Sequence, residues 1–99
     1  MIENLPDNLD DALQAVRILT SDRLRHNPQS LFYEFALREC ERIDARYRGS
    51  QPFDEEFYEG LNIGLMCARE LEATDMDYCD HVYRMLTLIK ASIPEQERR

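Results

Sequence analysis

The stretch from Gly60 to Ala68, GLNIGLMCA, constrains the fold of this chain more than any other. Eight of its nine residues are apolar or glycine, and only Asn62 is polar. A helix that is apolar almost all round belongs inside a protein, and nine residues fall well short of the roughly 20 that cross a membrane. The stretch is therefore expected in the middle of a central, largely buried helix. Gly60 and Gly64 stand four apart, on one face of that helix. Each glycine costs a helix interior about 1 kcal/mol relative to alanine, so the pair points to a neighbouring helix packed very close.

Helical periodicity runs through the rest of the chain. Asp7 or Asn8 can cap a first helix of about 8–25, with Asp10 and Asp11 in the first turn, where the helix dipole favours acids. Leu9, Leu13, Val16, Leu19 or Thr20, and Leu24 form its apolar stripe. Asn27-Pro28 reads as an N-cap followed by proline at the first helical position, opening a second helix over 28–48. Phe32, Ala36, Cys40, Ile43 and Tyr47 mark its buried face, Phe35 widens it, and Gly49 ends the helix. The third helix is expected over 53–73, with Asp54, Glu55 and Glu56 at its start and Phe53, Phe57, Leu61, Gly64, Ala68 and Leu71 inward. Thr74 or Asp75 caps a fourth over 75–93, with Thr74 and Asp77 at capping-box spacing. Cys79, Val82, Leu86, Ile89 and Ile93 form its stripe, Pro94 stops it, and the tail 94–99 frays. Short connections predict an all-α fold of one domain over 1–99, an antiparallel four-helix bundle.

Charge narrows the partners. The net charge is −8, from 20 acids against 12 Lys and Arg. Phosphate contacts need a basic face, so nucleic acid is disfavoured, as are anionic membrane surfaces. The opening MIENLPDNLDD has neither a basic region nor an apolar one, so no signal peptide is expected and a cytoplasmic protein is. Cys40, Cys67 and Cys79 lie on or beside apolar helical positions with no CxxC spacing, as reduced core residues would.

No catalytic constellation emerges. A phosphate-cradling loop and GxSxG are absent, and His26 and His81 have no zinc-ligand spacing. Cys79 and His81 are two apart, so on a helix they diverge and form no nucleophile–base pair. Asp75, Asp77 and Asp80 begin a helix, where the dipole accounts for them without a metal, and no EF-hand glycine or closing Glu follows. The expectation is a non-enzyme with no cofactor, no metal and no small-molecule substrate.

What remains is charge distribution. Between Asp54 and Asp80 lie nine acids and one arginine, Arg69, whereas Arg23 to Arg48 holds six arginines and four acids. An acidic face aids solubility, and it also steers a basic protein partner. Tyr58, Tyr78 and Met66 fall off the main stripes and could anchor such a partner.

Two segments resemble a known family. Asp22-Arg23-Leu24-Arg25 followed closely by Pro28 resembles its first helix end. Ile63-Gly64, then Ala68-Arg69-Glu70-Leu71-Glu72-Ala73-Thr74-Asp75, resembles its junction between third and fourth helices. The family is the immunity proteins that protect type VI secretion bacteria from NAD(P)-hydrolysing effector toxins. This chain departs from it with Met76 where the family has proline and with one extra residue, Asn27, before Pro28.

The resemblance implies a helical, cytoplasmic, non-enzymatic protein that binds a cognate toxin domain and blocks its active site. Charge clustering nominates Glu70, Glu72, Asp75, Asp77 and Asp80 for contact, with Tyr78 as aromatic anchor. Two alternatives are immunity to another cytosolic nucleotide-targeting or ADP-ribosylating toxin, and a non-inhibitory helical adaptor or secretion chaperone. Chaperones of that kind display an apolar groove, and four internal stripes would leave little apolar surface for one.

Overall fold

The protein is represented by a computed structural model that describes residues 5–94. These residues are all-helical, with no strand among them, and fall into four helical stretches. The expected frayed tail lies outside the described residues except for Pro94. No helix among them is long and apolar enough to cross a membrane.

Helix α1 spans Leu9–His26, and its cap is Asn8, whose side chain accepts from the Asp11 amide at 2.8 Å. Helix α2 spans Leu31–Arg48, three residues later than the proline signal predicts. Asn27 is already spent on α1: its backbone N–H donates to the Arg23 and Leu24 carbonyls, and its side chain donates to the Arg23 carbonyl. Pro28 and Gln29 fall in the turn, and Ser30 caps α2 by accepting from the Tyr33 amide. At the far end Gly49 keeps a negative φ, and Ser50 takes the left-handed position at φ 57°.

The third stretch is not one helix. Helix α3, Glu55–Glu59, starts on Asp54, which accepts from the Phe57 amide, and ends at Gly60. Helix α4, Ile63–Met66, continues directly into a wider π turn over Cys67–Leu71. Between them the Asn62 and Ile63 amides donate to one carboxylate oxygen of Glu39, at 2.7 and 3.2 Å. An uninterrupted helix would send those amides to the carbonyls four residues back. A carboxylate on backbone N–H groups is a charge-assisted bond, so Glu39 stabilises the break and supplies the start of α4. Glu39 is itself buried in α2 and paired with Arg42 at 2.9 Å.

Helix α5, Met76–Ser92, completes the fold. Asp75 precedes it but makes no capping bond, and among the described residues no hydrogen bond joins Thr74 to Asp77, so the expected box does not form. The core joins Leu13 and Val16 of α1, Tyr33, Ala36, Cys40 and Ile43 of α2, and Tyr78, Cys79, Val82, Met85 and Ile89 of α5. Phe53, Ile63, Cys67 and Leu71 contribute from the third stretch.

The expected central helix is thus corrected. Helix α1 packs most extensively, against both α2 and α5. In the third stretch α3 buries no residue completely, Leu65 is 55% exposed and Ala68 faces out. The segment is apolar nearly all round because it has a core side and a second, uncovered apolar side. Close packing at Gly64 is real: a Cβ there would meet Leu86 Cδ1 at 2.7 Å. Gly60 plays no part in it and serves as the end of α3.

Along α1, Asp10 near its start pairs with Arg48 at the end of α2 (3.2 Å), and Arg17 pairs with Asp44 (3.4 Å). Near its end, Arg23 reaches Asp75 at the start of α5.

Candidate partner-binding site

Two neighbouring depressions share Phe32 and Glu70. The first is an apolar groove of about 410 Å³ between the first turns of α2 and the α4–π segment. Phe32 and Phe35 form one wall, Leu65 and Met66 the other, and Arg69 and Glu70 stand at the rim. Leu65 and Met66 belong to α4, and the π turn that follows supplies the rim: the Glu72 amide bonds back to the Cys67 carbonyl at 3.0 Å, five residues away. Cys67 and Leu71 point into the core, while Arg69 and Glu70 are exposed. Such π turns interrupt helices at functional positions more often than elsewhere.

Phe32 was expected inside. Instead the buried face of α2 runs through Tyr33, Ala36, Cys40 and Ile43, and Phe32 is 41% exposed. The apolar surface left over is therefore larger than the four stripes imply, since Ile18, Leu31, Leu65 and Met76 are exposed as well.

The second depression holds Arg23, Tyr33 and Asp75. Arg23 donates to both oxygens of Asp75, from Nε at 2.8 Å and Nη2 at 3.2 Å. Such bidentate pairing fixes orientation as well as charge. The Tyr33 hydroxyl donates to the same carboxylate, and the Tyr33 ring meets Tyr78 edge-on at 5.4 Å. Behind it Tyr78 bonds Thr20 at 2.7 Å. Thr20 has one hydroxyl proton, which goes to the Val16 carbonyl at 2.6 Å, so Tyr78 is the donor.

This arrangement sets the charges. Burial works to raise the Asp75 carboxyl, but the hydrogen bonds from Arg23 and Tyr33, with the guanidinium charge, outweigh it and hold the group below the ordinary carboxylate value. The hydrogen bond to Asp75 keeps Arg23 more firmly protonated than usual. Burial, then the bond to Asp75, pushes the Tyr33 hydroxyl up.

The six residues nominated from charge clustering therefore separate. Glu70 lies on the groove rim with no hydrogen bond or ion pair among the described residues. Asp75 is turned inward onto Arg23 and Tyr33. Tyr78 is fully buried, so it cannot meet a partner as an aromatic anchor; its ring belongs to the core. Glu72 is exposed and accepts from the Tyr83 hydroxyl. Asp77 is exposed, 4.0 Å from Arg23, and Asp80 is half-exposed. Of the other anchor candidates, Met66 lines the groove, whereas Tyr58 is half-buried under the Lys90 ammonium.

Cys40, Cys67 and Cys79 are all free and buried. Burial pushes the Cys40 thiol up to about 12 and raises the other two as well, which keeps them protonated. Each histidine bonds a backbone carbonyl of its own helix, His26 that of Asp22 and His81 that of Asp77.

With this geometry in place, the family model for Tsi6 matches residues 4–91. The chain belongs to the Tsi6 family. The match covers every helix nearly to its end, including the groove, the π turn and the Arg23–Asp75 pair. Tsi6 is a type VI secretion immunity family, as the resemblance in the sequence implies, and a family of this kind takes a protein partner, an effector toxin. No curated protein and no solved structure matches the chain.

Proposed function

We propose that this chain is a cytoplasmic immunity protein that binds a cognate type VI effector toxin, an NAD(P) glycohydrolase, and blocks its active site without catalysis of its own. The observation that carries this is the Tsi6 match over residues 4–91. Charge supports the target chemistry. A toxin pocket for a dinucleotide attracts phosphates and is electropositive, and carboxylates compete for the same charges. Glu70, Glu72 and Asp77 are exposed on this chain and supply them. Asp75 contributes by holding α1 to the start of α5.

Co-expression tests the proposal. The toxin domain encoded beside this gene is expressed in bacteria with and without this chain, while growth and cellular NAD are followed. Growth arrest with loss of NAD, both reversed by co-expression, is the expected result. Arrest that is rescued with NAD unchanged would move the target to another nucleotide-consuming or ADP-ribosylating toxin. A well-expressed neighbour with no toxicity would favour the adaptor, for which the Phe32–Leu65 groove is a suitable surface.

A further inference from the structure

We infer that the groove between α2 and the α4–π segment receives an apolar side chain of the toxin, from a partner segment that also carries Lys or Arg. This rests on the immunity reading and places the centre of the interface on Phe32, Leu65 and Met66, with the acids acting from the edge. Phe32 and Leu65 are large apolar side chains held open to solvent on facing walls of one depression. Neither is needed by the core, which closes through Tyr33 on one element and Ile63 on the other. Interface affinity concentrates in such desolvated apolar pockets, and rim charges contribute mainly to encounter and partner choice.

Charge decides between possible occupants. Glu70 stands at the rim without a cation partner among the described residues, and Glu72 and Asp77, close by in the chain, are exposed acids as well. Arg69 is the one cation between Asp54 and Asp80, and it also lacks a partner among the described residues. A second copy of this chain carries the same net charge of −8. A two-fold contact through this groove would bring together two chains of the same net negative charge. A basic segment with an apolar tip satisfies the groove and the rim at once.

The test measures affinity of the full chain for the neighbouring toxin domain by calorimetry. The variants are Leu65→Ser and Phe32→Ser in the groove, Glu70→Lys at the rim, and Ile18→Ser as an exposed apolar control on α1, which lines none of the groove. Melting followed by circular dichroism confirms that each variant folds. The groove variants are expected to weaken binding by at least about tenfold, through faster dissociation. Glu70→Lys should slow association and flatten its salt dependence, and Ile18→Ser should bind as the wild type does. Wild-type affinity in both folded groove variants overturns the inference and leaves the immunity reading standing. Failure of the wild-type chain to bind the toxin overturns both. A dimer of the free chain that Leu65→Ser dissolves would assign the groove to a second copy instead.

Discussion

The Arg23 guanidinium holds both carboxylate oxygens of Asp75, and so ties the last turns of α1 to the residue that begins α5. The two residues are 52 positions apart in the chain. Tyr33 joins the same carboxylate, so α1, α2 and α5 meet at one group. Replacing Asp75 with Ala leaves a partly buried guanidinium and a tyrosine hydroxyl without their acceptor. The expected loss is about 2 kcal/mol, read as a fall in Tm of about 8–16 °C for a domain of this size. The pH dependence follows from the lowered carboxyl. Its contribution is complete above the ordinary carboxylate value and is lost as pH falls through the lower folded value. The stability gap between wild type and Asp75→Asn should therefore be widest near neutrality and close in acid.

Tyr78 tests how the interior bears on the interface. Tyr78→Phe keeps the ring and its edge-on contact with Tyr33, and removes only the donor to Thr20. Thr20 retains its bond to the Val16 carbonyl. Urea unfolding should show a loss of about 1 kcal/mol, with toxin affinity unchanged. A large affinity loss in folded Tyr78→Phe would return this residue to the interface.

Glu39 is expected to be worth more than its place in the sequence indicates. Glu39→Ala strands the Asn62 and Ile63 amides, at a cost of about 1–3 kcal/mol. Glu39→Gln keeps one acceptor and should lose less. Hydrogen exchange should quicken at those two amides first, before the α1–α5 interior is affected.

Gly64 faces the Leu86 side chain, whose terminal methyl would have to move for a Cβ. Leu86 is half-buried and can rotate, and alanine gains about 1 kcal/mol in helix propensity over glycine. Gly64→Ala should therefore be close to neutral in thermal melting. Gly64→Phe has no such outlet, and overpacking of this kind costs about 1–3 kcal/mol.

The helices themselves were legible where local chemistry sets them. Asn8 caps as its residue type predicts, and much of the two expected stripes is buried: Leu13, Val16 and Thr20 in α1, and Cys79, Val82, Ile89 and Ile93 at α5, where Met85 takes the buried place expected of Leu86. Two features were not local. The break at Gly60–Asn62 depends on a carboxylate more than twenty residues away. Its sequence signal is Glu39 itself, a lone acid flanked by Ala36, Cys40 and Ile43 on the inward face of α2. The register of α2 is ambiguous in the sequence because Phe32 and Tyr33 both fit a helical stripe. Starting the helix at Ser30 rather than Asn27 leaves the choice to packing, and the hydroxyl of Tyr33 finds Asp75. For the site, charge clustering points to Glu70, which stands on the groove rim, and carries no signal for the groove itself, whose walls come from segments about 30 residues apart.

The α4–π segment is fastened by Ile63, Cys67 and Leu71 on one side and by Glu39 at its start, while Leu65, Arg69 and Glu70 face away. Fastening and display thus fall on different residues of one short stretch. Outward positions can be exchanged without touching the anchors, so the surface can follow a changing partner while the fold beneath it stays fixed.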